Sequence, residues 1–145
     1  MLLNIYLRKG IVYLPTLSKT EDGVYKIGEP VAIVPVSETG HLKQAFLETA
    51  SRGNPKIPNP PRDARQVFVL PKYAGVKSMA AFYRDLQIWE ISDYDNVYEI
   101  VGKKRRPDRG WEDDPENVVT FPPGTKLDEV IERAVAILRS AASPP

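Results

Sequence analysis

The sequence predicts an α+β fold: a single domain over residues 1–145, with a mixed, mainly antiparallel sheet packed by about three helices, the C-terminal one longest. Three observations lead to this prediction. Strand-like stretches at the start, in the middle and near the end of the chain alternate with helix-like stretches. The length of 145 residues suits one core that buries roughly 70% of the unfolded surface. The composition, with 42% apolar and 27% charged residues, is typical of globular proteins.

The first third of the chain indicates an antiparallel meander. Residues 2–7 and 11–14 are rich in leucine, aromatic and β-branched side chains, and Gly10 between them suits a tight turn with positive φ. The Glu-Asp-Gly sequence at 21–23 predicts a second turn. Beyond that turn, residues 24–27 and 31–36 continue the meander, and Gly28 and Pro30 interrupt it.

The middle of the chain predicts a helix, a loop, a strand and a short helix. Residues 38–52 form the first helix, which ends before Gly53. The proline-rich residues 53–63 form an extended loop, and the apolar run at 66–70 predicts a central strand covered on both faces. Residues 76–84 then form a short helix. The predicted inner face of the first helix is Leu42, Ala45, Phe46, Thr49 and Ala50. That of the second helix is Met79, Ala80 and Tyr83.

The next stretch predicts a hairpin with an acidic tip, made of strands at 86–91 and 96–101 around the Ser-Asp-Tyr-Asp sequence at 92–95. Residues 103–116 carry five positive and five negative charges, which predicts a surface loop whose charges pair with one another. One more short strand is predicted at 118–121.

The closing helix has the clearest sequence pattern in the chain. Thr125 is the predicted N-cap, and Asp128 completes a capping box. The preceding Pro122–Pro123 pair and Gly124 are expected to end the strand predicted before them. An uninterrupted apolar stripe then predicts burial against the sheet: Leu127, Val130, Ile131, Ala134, Ile137, Leu138 and Ala141.

The residue inventory argues against several classes of function. The chain has no cysteine and a single histidine, His41, which leaves no ligand set for a thiolate or histidine-rich metal site. Neither a phosphate-binding glycine loop nor a nucleophile elbow is present. The sequence therefore provides no candidate catalytic residue, and we expect no cofactor and no metal.

The overall charge and hydropathy bear on partners and location. A formal net charge of +1 predicts no general affinity for nucleic acid or for an anionic membrane. No stretch approaches the roughly 20 apolar residues of a membrane helix, and the first nine residues lack the pattern of a signal peptide. We therefore expect a cytoplasmic protein with no membrane association.

Charge is nevertheless unevenly distributed, and this identifies the candidate binding residues. Residues 85–99 carry five negative charges, no positive charge, and Trp89, Tyr94 and Tyr98. Aromatic side chains supply many of the anchoring contacts of protein interfaces. We expect Tyr94 to be exposed and Trp89 to face the core. The predicted partner-binding residues are Asp93, Tyr94, Asp95, Tyr98 and Glu99.

Several stretches, among them YLRKGIVYLP at 6–15, KYAGVKS at 72–78 and FPPGT at 121–125, resemble small uncharacterised bacterial proteins. The size and layout of the chain also resemble immunity proteins of toxin-delivery systems, including contact-dependent growth inhibition. No motif assigns a role to any residue in this resemblance. It implies a bacterial protein whose partner is a protein toxin.

The leading functional hypothesis is a non-enzymatic protein-binding domain, in particular a toxin-neutralising immunity protein whose acidic hairpin covers a basic nuclease cleft. Two alternatives remain open from the sequence. An enzyme can build a dispersed site of Asp, Glu, Tyr and Arg side chains that leaves no local motif. A nucleic-acid-binding module can use the positive charges at 52–77 and 103–106.

Overall fold

The computed structural model describes residues 1–62, 68–108 and 110–142. These residues form a seven-stranded sheet and four helices. Along the chain the elements are β1 (Leu2–Arg8), β2 (Ile11–Thr20), β3 (Tyr25–Pro35), α1 (Thr39–Arg52), β4 (Lys56–Ile57), α2 (Val69–Ala74), α3 (Met79–Tyr83), β5 (Leu86–Tyr94), β6 (Val97–Arg105), β7 (Trp111–Thr120) and α4 (Leu127–Ala142).

The sheet confirms the predicted fold class. Its strands lie in the order β3-β2-β1-β5-β6-β7, and all of these neighbours are antiparallel. The short strand β4 adds one parallel pairing, beside the end of β2. The C-terminal helix α4, with 16 residues, is the longest of the four. No helix in the described part of the chain is long and apolar enough to cross a membrane.

Two tight turns set the register of the sheet. Between β1 and β2, Lys9 and Gly10 have φ values of 51° and 78°, and between β5 and β6, Asp95 and Asn96 have φ values of 53° and 63°. Two successive positive φ values are typical of type I′ turns, whose twist matches that of antiparallel strands. Both predicted hairpins are therefore confirmed. The tip of the second was predicted too early: residues 92–94 lie in β5, the turn is at Asp95 and Asn96, and β6 begins at Val97.

Helices α1 and α4 cover one face of the sheet and confirm most of the predicted stripes. Every second residue of β1 points toward them, as the two-residue period of a strand requires. In α4, Val135 joins the buried stripe, whereas Ile137 is only half-buried. The largest buried side chains of this core are Leu3, Ile5, Leu7, Leu14, Leu42, Phe46, Ile91, Ile100, Ile131 and Leu138.

Helices α2 and α3 cover part of the opposite face. Phe82 is fully buried there, and its ring centroid lies 6.2 Å from that of Tyr6 and 5.7 Å from that of Tyr13. The predicted inner face of α3 is wrong at Ala80, which is exposed. The helix begins at Met79, later than predicted, and the Ser78 hydroxyl accepts a hydrogen bond from the backbone N–H of Ala81 as its cap.

The predicted central strand at 66–70 is wrong where the structure describes it. Residues 66 and 67 lie outside the described residues, and Val69 and Leu70 begin helix α2. An apolar run of this length is compatible with either a buried strand or a buried helix turn. Leu70 is buried against the Phe82 cluster, so the burial was predicted although the backbone conformation was not.

Two further predictions need correction. Residues 103–116 are not a surface loop, because β6 continues to Arg105 and β7 begins at Trp111. Thr125 is not an N-cap: helix α4 begins at Leu127, and the Thr125 hydroxyl donates a hydrogen bond of 2.7 Å to the carbonyl oxygen of Pro122. Thr125 thus closes the turn before the helix rather than the helix end itself.

Candidate protein-binding surface

The acidic hairpin tip is the end of the β5–β6 hairpin, and here it means Asp93, Tyr94 and Asp95. The ladder between the strands runs to the pair Tyr94 and Val97, and Asp95 and Asn96 make the turn. Tyr94 is 66% exposed, the largest exposed fraction among the exposed large apolar side chains of the described chain, which confirms the expectation. The hairpin end therefore presents one large exposed aromatic ring, and the residues before and after it in the sequence are both aspartates.

The five predicted binding residues do not share one face of the sheet. Asp93 pairs with Tyr98, and both side chains are on the face that α1 and α4 cover. Tyr98 is half-buried against that core, and burial together with the Asp93 charge raises the pKa of its hydroxyl. Glu99 lies on the opposite face, where its carboxylate accepts a 3.1 Å hydrogen bond from the Thr120 hydroxyl. Tyr98 and Glu99 thus support the hairpin more than they extend the tip.

Among the described residues, three negative charges near the tip of the hairpin have no cationic partner: Asp93, Asp95 and Glu99. In residues 1–62, 68–108 and 110–142, no lysine or arginine forms an ion pair with Asp93, Asp95 or Glu99. Carboxylates left without a cationic partner keep their field available to an approaching molecule. The arrangement is suited to binding a positively charged protein surface around an aromatic anchor.

The basic run at 103–106 is largely occupied by neighbouring groups. Lys103 forms ion pairs with Glu90, at 3.0 Å, and with Asp113. Lys104 lies 4.0 Å from Glu112. The expected pairing of positive and negative charges in this segment is confirmed, although it occurs across a hairpin and not within a loop. This pairing reduces the charge available for contacts with phosphate groups.

Lys103 is the most enclosed of these cations, with a side chain 18% exposed. Burial lowers the pKa of its ammonium group, but hydrogen bonds from it to the carboxylates of Asp113 and Glu90 outweigh burial and raise the pKa above the usual value. The group therefore stays charged at neutral pH. It joins β5, β6 and β7 through charge-assisted hydrogen bonds.

A cleft that the sequence did not predict lies at the other end of the same two strands. Strands β5 and β6 are paired from Tyr94 back to Trp89, which faces Gly102, and the ladder stops there. The first residues of β5 remain hydrogen-bonded to β1, and the last residues of β6 remain hydrogen-bonded to β7. The sheet therefore splits between β5 and β6 at this end. The resulting β5–β6 cleft has a volume of about 620 Å³ and is closed on one side by the second half of α4.

The part of the chain that the structure describes contains no group of three or more His, Cys, Asp or Glu side chains placed to hold a metal ion.

Trp89 is half-buried and packs against the α1–α4 core, which confirms the expectation for this residue. It also lines the β5–β6 cleft, a feature that no local sequence pattern indicated.

No protein-family model matches the sequence, and no curated protein matches it either. Solved structures do show the same fold. The "Protein of Unknown Function NMB0488 from Neisseria meningitidis" superposes with a TM-score of 0.66 at 13% identity, covering 98% of this chain and 94% of that one. A chain of the "CdiA-CT/CdiI toxin and immunity complex from Yersinia pseudotuberculosis" superposes with a TM-score of 0.63 at 11% identity, covering 98% and 97%.

Proposed function

We propose that this chain is a non-enzymatic protein-binding domain that neutralises a protein toxin, and that it binds through the acidic hairpin tip. The observation that carries the proposal is the exposure of Tyr94, 66%, at a hairpin end whose sequence neighbours Asp93 and Asp95 have no ion-pair partner among the described residues. Tyrosine is among the residues that contribute most binding energy in protein interfaces. A partner with a basic surface would complement the charges around it.

The similarity of fold supports the choice of a toxin as the partner. Nearly the whole chain superposes on a chain from a complex of a toxin with its immunity protein. That complex shows a chain of this architecture in a toxin–immunity pair. The bacterial cytoplasm is the location we propose, since an immunity protein acts where its toxin arrives.

The backbone around Tyr94 favours tight binding. The turn at Asp95 and Asn96 and the ladder behind it fix the backbone of Tyr94 before a partner arrives. Preorganisation reduces the conformational entropy lost on association. The uncompensated charges would also accelerate the encounter with a cationic partner, and added salt would weaken this effect.

A growth assay tests this function. The chain is co-expressed with each protein encoded by a gene adjacent to its own, and where that protein is toxic, survival is compared with cells that produce the toxin alone. We expect the wild-type chain to restore growth and to purify with the toxin. A tip variant that combines Asp93→Asn, Tyr94→Ser and Asp95→Asn should lose most of the protection. Tyr94 and Asp95 are exposed and Asp93 is half-buried near the end of β5, so the variant should remain folded.

The β2–β3 hairpin offers a matched control. Its turn also carries two acidic residues and an exposed apolar residue, Glu21, Asp22 and Val24, the last 57% exposed. The variant Glu21→Gln, Asp22→Asn, Val24→Ser should protect as well as the wild type. No protection by the wild-type chain would overturn the proposed function. If both variants protect as well as the wild type, the proposed role of the tip is overturned, but the proposed function is not.

A further inference from the structure

The sheet face opposite α1 and α4 is covered only in part by α2 and α3. Their hydrophobic cluster extends over β1, β2, β3 and the first residues of β5, and it reaches Trp111 at the start of β7. Among the described residues, the apolar side chains further along this face belong to neither hydrophobic core. The open face here means this remaining part, formed by Tyr94, Val97, Glu99, Val101, Val118 and Thr120.

The strand register places the side chains of the open face next to one another. Glu99 lies opposite Thr120 of β7, and Val101 lies opposite Val118. Tyr94 ends the ladder on the same face, because it is two residues beyond the β5 partner of Glu99. Residues opposite each other in an antiparallel ladder, and every second residue of a strand, point to the same side. The open face therefore runs about 17 Å from Tyr94 to Val118, across three strands.

The open face combines exposed apolar groups with one free negative charge. Tyr94 is 66% exposed, Val118 is 41% exposed, and Thr120 is exposed as well. A continuous patch of exposed apolar side chains marks an interaction site. Glu99 is half-buried between them, and its carboxylate accepts the hydrogen bond from Thr120 but has no cationic partner among the described residues. This hydrogen bond orients the carboxylate and leaves its charge in place.

The charged groups beside the open face do not reverse its sign. The ammonium group of Lys103 is held by two carboxylates of the neighbouring strands, so this group of three side chains has an excess of one negative charge. Arg105 is six residues beyond Glu99 along β6, and its guanidinium stacks there on the rings of Tyr83 and Trp111. The open face therefore complements a cationic surface.

We propose that the toxin partner lies across the open face, so that Val118 and Glu99 contact it together with Tyr94. This inference rests on the proposed function and adds the side of the sheet on which the partner lies. On the other side, Asp93 and Tyr98 are directly followed by the core that α1 and α4 cover. The partner presents a cationic group to Glu99 and an apolar side chain to Val118.

The absence of cysteine from the chain permits a direct footprint of the partner. Val118→Cys introduces a single thiol on the open face, and the probe is a toxin that the chain neutralises in the growth assay. At a toxin concentration about ten times the dissociation constant, alkylation of this thiol by iodoacetamide should be roughly tenfold slower, because only the free chain reacts. Ile33→Cys is the matched control. Ile33 is a 43% exposed β-branched residue of the other edge strand, β3, and its thiol should react equally fast with and without toxin.

A second variant tests the charge of the open face. Glu99→Gln should weaken toxin binding by roughly tenfold, since a charge-assisted contact is lost while the acceptor for Thr120 is kept. Glu129→Gln removes the same charge from an exposed position of α4 and should bind like the wild type.

The results separate this inference from the proposed function. If a neutralised toxin leaves the alkylation rate of Val118→Cys unchanged, or if Glu99→Gln binds it with wild-type affinity, the placement on the open face is overturned and the proposed function stands. If the chain neutralises no toxin, the proposed function fails and the placement fails with it.

Discussion

Replacing Ile131 with alanine tests how α4 is held against the sheet. Ile131 is 2% exposed and lies in the core that α1, α4 and the sheet share. The change removes three carbon atoms from a close-packed site, and such losses cost about 2–5 kcal/mol of unfolding free energy. For a chain of this length, each kcal/mol lowers the melting temperature by about 2–4 °C. We therefore expect Ile131→Ala to melt roughly 4–20 °C below the wild type.

Thermal unfolding followed by circular dichroism measures this shift, and Leu47→Ala is the matched control. Leu47 is also an aliphatic residue in a long helix, α1, but it is 39% exposed, so its truncation should cost less than about 1 kcal/mol. If Ile131→Ala melts with the wild type, α4 does not bury this face against the sheet and the packing argument fails. A similar drop in both variants would show that burial does not determine the loss.

Three further predictions concern single side chains. The Asn54 side-chain amide forms three hydrogen bonds of 2.9–3.0 Å with backbone groups of β1 and β2. Asn54→Ala should therefore lower the free energy of unfolding, measured by urea denaturation, by about 1–3 kcal/mol. An unchanged midpoint would show that Asn54 does not hold the two strands together. A Cβ at Gly102 would lie 2.8 Å from Cβ of Asn117 and 3.4 Å from Nε1 of Trp89. Gly102→Ala should therefore lower the free energy of unfolding by about 1–3 kcal/mol and shift the tryptophan emission. An unshifted spectrum would contradict the close approach of Gly102 to Trp89. Burial raises the pKa of Tyr6 from 10.0 to about 12, so the unfolded chain ionises first and stability should fall between pH 10 and 12. Tyr6→Phe should remove up to about 3 kcal/mol of that fall, and equal pH profiles for the two proteins would refute the shift.

The parts of the fold that the sequence predicted depend on local chemistry. Gly10 tolerates positive φ and marks the first turn, and the polar residues 92–95 indicated the second hairpin, although its turn lies at Asp95 and Asn96. The apolar stripes of α1 and α4 have the 3.6-residue period of a helix, and most of their large side chains are buried. In these segments local preference and tertiary packing favour the same conformation.

The errors occur where tertiary contacts decide the conformation. The acidic residues 112–116 have low strand propensity, yet they lie in β7. Cross-strand ion pairs, Lys103 with Asp113 and Lys104 with Glu112, offset that preference. A register shift between Val101 and Lys103 also accommodates the extra residues of β7. None of these pairings can be inferred from the composition of the segment alone.

The candidate sites differ in the same way. The acidic hairpin tip could be predicted because its residues are contiguous and a turn is exposed almost by definition. Tyr98 and Glu99 lie on opposite faces of the sheet, and predicting which face each one occupies requires the register of β5 and β6. The β5–β6 cleft required more, since it exists because two strands keep different neighbours beyond Gly102. Its lining comes from residues far apart in the sequence, such as Gln87 of β5 and Ser140 of α4.

The affinity of the chain for a toxin that it neutralises in the growth assay, measured by titration calorimetry, tests the central claim most directly. The tip variant Asp93→Asn, Tyr94→Ser, Asp95→Asn should bind roughly 30-fold more weakly or worse, as expected when an interface anchor is lost. The β2–β3 turn variant should match the wild type. Raising the salt concentration should weaken the wild type more than the tip variant, because the variant lacks two of the charges. A tip variant that binds with wild-type affinity and the same salt dependence would contradict the claim.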